Sequence, residues 1–147
     1  MTVHMPLLAA AALIALTAAP AFAQTIEDRL KRGEAVIREL NRGQPQPALE
    51  RMRQEFPFLA EATEAYALGD VWSRPGLDRR SRSVAVLTSL IAHGHHEELA
   101  MHLRAALRNG LTVDEIREVI LQSAVYSGVP AANTAFRIAS EVFAEEA

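Results

Sequence analysis

From Glu98 to Asn133 the chain reads ELAMHLRAALRNGLTVDEIREVILQSAVYSGVPAAN, and this stretch limits the fold more than any other. Leu99, Leu103, Ala106 and Leu107 recur at helical spacing, and Asn109-Gly110 then stops the first helix. Thr112-x-x-Glu115 is a capping box. The Thr112 hydroxyl accepts from the Glu115 amide while the Glu115 carboxylate reaches back, so a second helix starts there and runs to about Ser127. Gly128 and Pro130 break it, and Ala131 to Glu145 reads as a third helix. Stripes of this width must be covered by other helices, which predicts helix-on-helix packing.

The rest of the chain agrees with that expectation. Thr25 to Asn41 has an apolar stripe of Ile26, Leu30, Val36, Ile37 and Leu40. A loop is predicted over 44–47, a short helix over 48–54 and another over 58–68, with Gly69 as its C-cap. Residues 69–77 (GDVWSRPGL) read as irregular, with Ser73-Arg74-Pro75-Gly76 as a turn. Asp78 is a predicted N-cap for a helix to about His93, apolar nearly all round between Val84 and Ile91. No segment has convincing strand character. The expected class is all-α, with about six helices in one domain.

The chain has 147 residues, no cysteine and a net charge of -3. Without cysteine there is no disulfide, no thiolate catalysis and no thiolate metal site. A slightly acidic chain with mixed charges lacks the basic excess that a nucleic acid partner demands. Pro6 to Ala23 is an uncharged apolar run ending Ala21-Phe22-Ala23, which reads as a signal peptide over 1–23, cleaved after Ala23. The protein is therefore expected to be periplasmic or secreted, with membrane attachment only if that N-terminus stays uncleaved. Its n-region departs from type, having no Lys or Arg.

Several side chains are candidates for chemistry. His102 borders the buried face of its helix, as a proton donor near neutral pH or as a structural histidine. Glu118, Gln122 and Tyr126 stand at i, i+4 and i+8 on one face, beside the apolar stripe of Val119, Ile120 and Ala124. They require partners, either each other or a ligand. Glu115 is accounted for by the capping box. Arg79, Arg80 and Arg82 open a buried helix, where the helix dipole disfavours cations. Arg82 is the favoured carboxylate anchor and Arg74 the second. His93, His95 and His96 resemble a metal tract, but a solvated loop fits better and no metal is expected. Trp72 is expected to be a packing anchor.

The segments GDVWSRPGLDRRSRS, ELAMHLRAALRNGLTVDEIREVILQSAVYSGVPAANTAF and SEVFAEE resemble the 4-carboxymuconolactone decarboxylase family, of alkylhydroperoxidase-D-like fold. The resemblance runs from about Leu30 to the C-terminus and is weakest between Arg38 and Glu55. It implies an all-α homo-oligomer, a trimer or hexamer, working without a cofactor on a small dicarboxylate lactone of the β-ketoadipate pathway. It implies catalytic roles for His102, Glu118 and Tyr126, and substrate contacts from Arg82, Arg74, Gln122 and Asn133. Gln122 stands where family members often have His, and an export signal departs from a cytoplasmic family. The Cys-x-x-Cys peroxidase chemistry of the same fold is excluded. The alternative is an exported module of the same fold that binds a small acid or a partner without turning anything over.

Overall fold

The computed structural model describes residues 25–41, 43 and 46–146. The predicted leader over 1–23 lies outside them. The described residues are all helical, with no strand among them. The helices are α1 (Ile26–Leu40), α2 (Pro47–Glu55), α3 (Pro57–Ala62), α4 (Arg79–His93), α5 (His96–Arg108), α6 (Val113–Ser127) and α7 (Val129–Glu145). None of them is long and apolar enough to cross a membrane.

The caps fall where the sequence placed most of them. The Asp78 carboxylate accepts from the Ser81 amide at 3.0 Å, and both halves of the Thr112–Glu115 capping box form. Gly94 closes α4 in the left-handed region at φ 70°. Pro130 sits in the first turn of α7, where its missing N–H costs nothing.

Gly69 is a correction. It does not end a helix: α3 runs on without a break into a π-helical segment, Thr63–Trp72, that contains it. The glycine serves close approach instead. A Cβ on Gly69 would overlap the Arg29 carbonyl oxygen, and one on Gly33 would overlap the Glu64 carbonyl oxygen. Backbone meets backbone where α1 crosses the π segment. Arg29 and Arg32 clamp Asp70 beside the crossing, and Arg32 also donates to the Gly69 carbonyl at 2.9 Å. The Arg29 hydrogen bond holds the Asp70 carboxyl below its ordinary range. From α2, Arg53 grips the buried Glu64 carboxylate at 2.7 and 2.9 Å.

The C-terminal helices form the main core. Leu87, Leu99, Leu103, Ile116 and Val142 are almost wholly buried there, each worth about 1.5–3 kcal/mol. The N-terminal layer, α1 and α2 with the π segment, meets α5 around one cavity. Arg79 crosses that seam to Glu39 at 2.8 Å, and Arg108 donates to the Leu40 carbonyl.

Because the α1 crossing leaves no room for a methyl, Gly69→Ala is expected to cost about 1–3 kcal/mol of stability in urea unfolding. Gly76→Ala, with open space at its Cβ, should stay within about 0.5 kcal/mol of the parent. Equal unfolding midpoints for the two variants would contradict the backbone-contact account.

Candidate active site

α5 turns Leu99, Leu103 and Ala106 into the main core. The adjacent face, carrying Met101, His102 and Ala105, is thereby presented to the N-terminal layer. There it closes a cavity of about 250 Å³ with Ile37 and Leu40 from α1, Leu49 from α2, and Leu68 and Trp72 from the π segment. The walls are mostly apolar. Asn41, Gln46 and Thr63 are the uncharged polar residues, and His102 is the one lining residue that titrates near neutral pH. Asn41 and Thr63 already donate to the carbonyls of Ile37 and Leu59.

His102 is half-buried and makes no hydrogen bond to the described residues. Burial lowers its pKa from the ordinary 6.5, and the charge of Glu98, one turn earlier on α5, works against that shift. The resting imidazole is thus neutral at pH 7, with its nitrogens unclaimed among the described residues.

The other candidates lie elsewhere in the chain. Gln122 and Tyr126 share a shallow groove of about 300 Å³ with Ala85, Thr88, Ser89 and Ala92 of α4. Tyr126 is 82% exposed. Glu118 is exposed on the same helix. Asn133 lines a third groove, of about 380 Å³, between α6 and α7, with Leu121, Phe136 and Phe143. Within one chain, then, Gln122 and Tyr126 come together, whereas His102 and Asn133 each face a different space.

The arginines at the start of α4 all have partners, which explains how three cations tolerate a helix N-terminus. Arg80 pairs with Glu115 and with the Gly110 carbonyl. The Thr112 backbone N–H, and after it Arg80, hold the Glu115 carboxyl below its ordinary range. Arg79 pairs with Glu39 and lies over the Trp72 ring, 6.0 Å from its centroid. Arg82 donates to the carbonyls of Leu77 and Arg74 at 3.0 and 2.9 Å, so it latches the Arg74–Leu77 turn. Arg74 itself is exposed on that turn, two residues after the cavity wall at Trp72.

Two features escaped the sequence. The N-terminal layer supplies most of the cavity, although only its Ile37/Leu40 stripe hinted at a partner for α5. Trp72, expected to be a packing anchor, is a wall of the cavity. The rings of His93 and His95 stack 5.9 Å apart, and no group of three metal-binding side chains occurs among the described residues.

The sequence model of the Carboxymuconolactone decarboxylase family matches residues 57–141. Over 118 residues the chain is 42% identical to a 4-carboxymuconolactone decarboxylase of Acinetobacter baylyi, covering 80% of this chain and 88% of the relative. Over 82 residues it is 44% identical to a nitrosuccinic acid decarboxylase of Metarhizium robertsii, covering 54% and 57%. An uncharacterised 15.0 kDa protein of Paracoccus denitrificans is 32% identical over 133 residues, covering 86% and 96%.

The burial of His102 has a consequence for stability. The folded ring takes up its proton at lower pH than the unfolded one, so below 6.5 the unfolded chain binds more protons. The stability contributed by the neutral buried ring is present above 6.5 and is lost as pH falls through the lowered value. His102→Gln should flatten the fall of the urea midpoint in that window relative to the parent. Parallel curves for the two proteins would refute the buried, neutral imidazole.

Proposed function

The chain belongs to the carboxymuconolactone decarboxylase family, and from that premise we propose that this carboxy-lyase removes carbon dioxide from 4-carboxymuconolactone or a similar small lactone acid. The observation that carries the proposal is the half-buried imidazole of His102, without a hydrogen bond to the described residues, in a small apolar cavity.

The chemistry asks for little more. The bond between ring carbon and carboxylate breaks, and its electron pair passes through the ring double bond to the lactone carbonyl oxygen. The substrate is its own electron sink, so the proposed reaction needs no cofactor. Apolar walls favour the dispersed charge of the transition state over a localised carboxylate. A proton must then reach a ring carbon, and His102 is the proposed donor. Its resting neutrality is reversed by the substrate itself, because an anion within a few ångströms favours the imidazolium. Arg74 is the proposed anchor for the carboxylate that stays, on a turn held in place by Arg82.

Glu118, Gln122, Tyr126 and Asn133 remain proposed contributors. A site that uses them together with His102 requires a second copy whose α6 and α7 reach the cavity mouth, so the proposed working form is a homo-oligomer. The apolar run ending at Ala23 supports export of this enzyme, which finding Gln24 at the purified N-terminus would test.

The purified protein should release carbon dioxide from 4-carboxymuconolactone, and His102→Ala should slow turnover by at least about a hundredfold. Unchanged turnover would remove His102 from the mechanism. No turnover by the parent, together with thermal stabilisation by the lactone, would favour a binding module instead. Mixing inactive His102→Ala and Tyr126→Phe proteins should restore part of the activity if the two side chains meet across subunits. No recovery would separate their roles.

A further inference from the structure

The reaction proposed above puts negative charge on the lactone oxygen, and the His102 cavity holds few groups able to receive it. Asn41 and Thr63 spend donors on backbone carbonyls, and the lining includes no arginine or lysine. The imidazole is committed to the ring carbon. Trp72 remains.

Three observations bear on the indole. First, it lines the cavity, at the end of the π segment. Second, its N–H has no hydrogen-bond partner among the described residues, and yet it is not sealed away. The one sealed, unpartnered side-chain nitrogen or oxygen among them is Nη1 of Arg79. Trp72 is half-buried, so this N–H stays accessible, to water or to a ligand that displaces it. Third, Arg79 lies over the indole ring, 6.0 Å from the centroid. A cation on the ring face draws electron density from the π system and makes the N–H a stronger donor. Glu39 holds that guanidinium in place through Nη2 at 2.8 Å. Leaving Nη1 buried and unpaired is costly, and the cost is incurred at the contact that polarises the indole.

We propose that the Trp72 indole N–H donates a hydrogen bond to the substrate's lactone oxygen in the His102 cavity, stabilising the charge that gathers there as carbon dioxide leaves. This assignment rests on the decarboxylase function proposed above. The indole keeps its proton throughout: the electron pair of the broken carbon–carbon bond rests on the lactone carbonyl oxygen in the dienolate, and the carbonyl re-forms as the dienolate carbon takes the proton from His102 into a new C–H bond. Trp72 is a catalytic residue in this scheme, and Arg79 is a positioning residue that acts through it.

The test uses Trp72→Phe, which keeps an aromatic wall and removes the N–H. Loss of one donor to a developing oxyanion should lower kcat by about a hundredfold, with KM changed far less. Trp72 is the only tryptophan of the chain, so the indole gives a single proton–nitrogen NMR resonance. Titration of the whole protein with paraconate, a saturated lactone acid that cannot lose carbon dioxide by this route, should move the indole proton downfield. This second measurement needs no turnover and no variant, and so holds even if Trp72→Phe folds poorly. A parent that turns over the lactone, with an indole proton unmoved at saturating paraconate, overturns the donor role alone. A parent showing neither turnover nor stabilisation by paraconate overturns the proposed function and the donor role with it.

Discussion

The structure depends on the backbone-to-backbone crossing of α1 and the π segment. Gly33 and Gly69 each let a carbonyl oxygen of the other helix come against their Cα, and no larger residue fits either place. The Asp70 clamp from Arg29 and Arg32 fixes the angle of that crossing. With the pair locked, Ile37 and Leu40 on one helix and Leu68 and Trp72 on the other face α5 together. The cavity is the space left between that rigid pair and the Met101–Ala105 face of α5. π-helical turns are costly in hydrogen-bond geometry and recur at functional sites; here the wider turn leads directly into Trp72 and the Arg74 turn.

Electrostatics follows the same division of labour. The ion pairs that hold the N-terminal layer together involve no residue of the cavity lining: Arg53 with Glu64, and Arg29 and Arg32 with Asp70. Glu64 is nearly buried, and removing either partner would strand a charge in a poor solvent for it. The cavity itself is left with uncharged polar groups, the neutral imidazole, and an indole N–H that has no partner among the described residues. In such a place a single charge developing on a bound ligand is weakly screened, so each donor counts for more than it would in water. The same low polarity explains why His102 titrates below its usual range.

Much of this was legible in the chain because local physics enforces it. The Thr112–Glu115 capping box, the Asp78 cap and Pro130 at a helix start all formed as read. Each depends on hydrogen bonds or dihedral limits within a few residues. Gly69 was misread because a glycine signal is ambiguous in sequence: a positive φ at a helix end and room for a neighbouring backbone call for the same residue. Arg82 was singled out as an anion anchor because, of three cations that a helix start disfavours, it stands nearest the apolar run of α4. Its partners turned out to be the carbonyls of its own preceding turn.

The sequence alone determined the class, most of the caps and the family resemblance, because these follow from spacing and short-range bonding. It also singled out His102 from its position beside a buried stripe. Only the tertiary structure decided what surrounds that ring, since Ile37, Leu68 and Trp72 lie far from it along the chain and meet it through the α1 crossing. It also decided that Tyr126 and His102 open onto different spaces of one chain. Helical periodicity states which residues share a face of one helix. Which foreign face they meet is set by packing between helices, and that information is not carried by any single stretch of sequence.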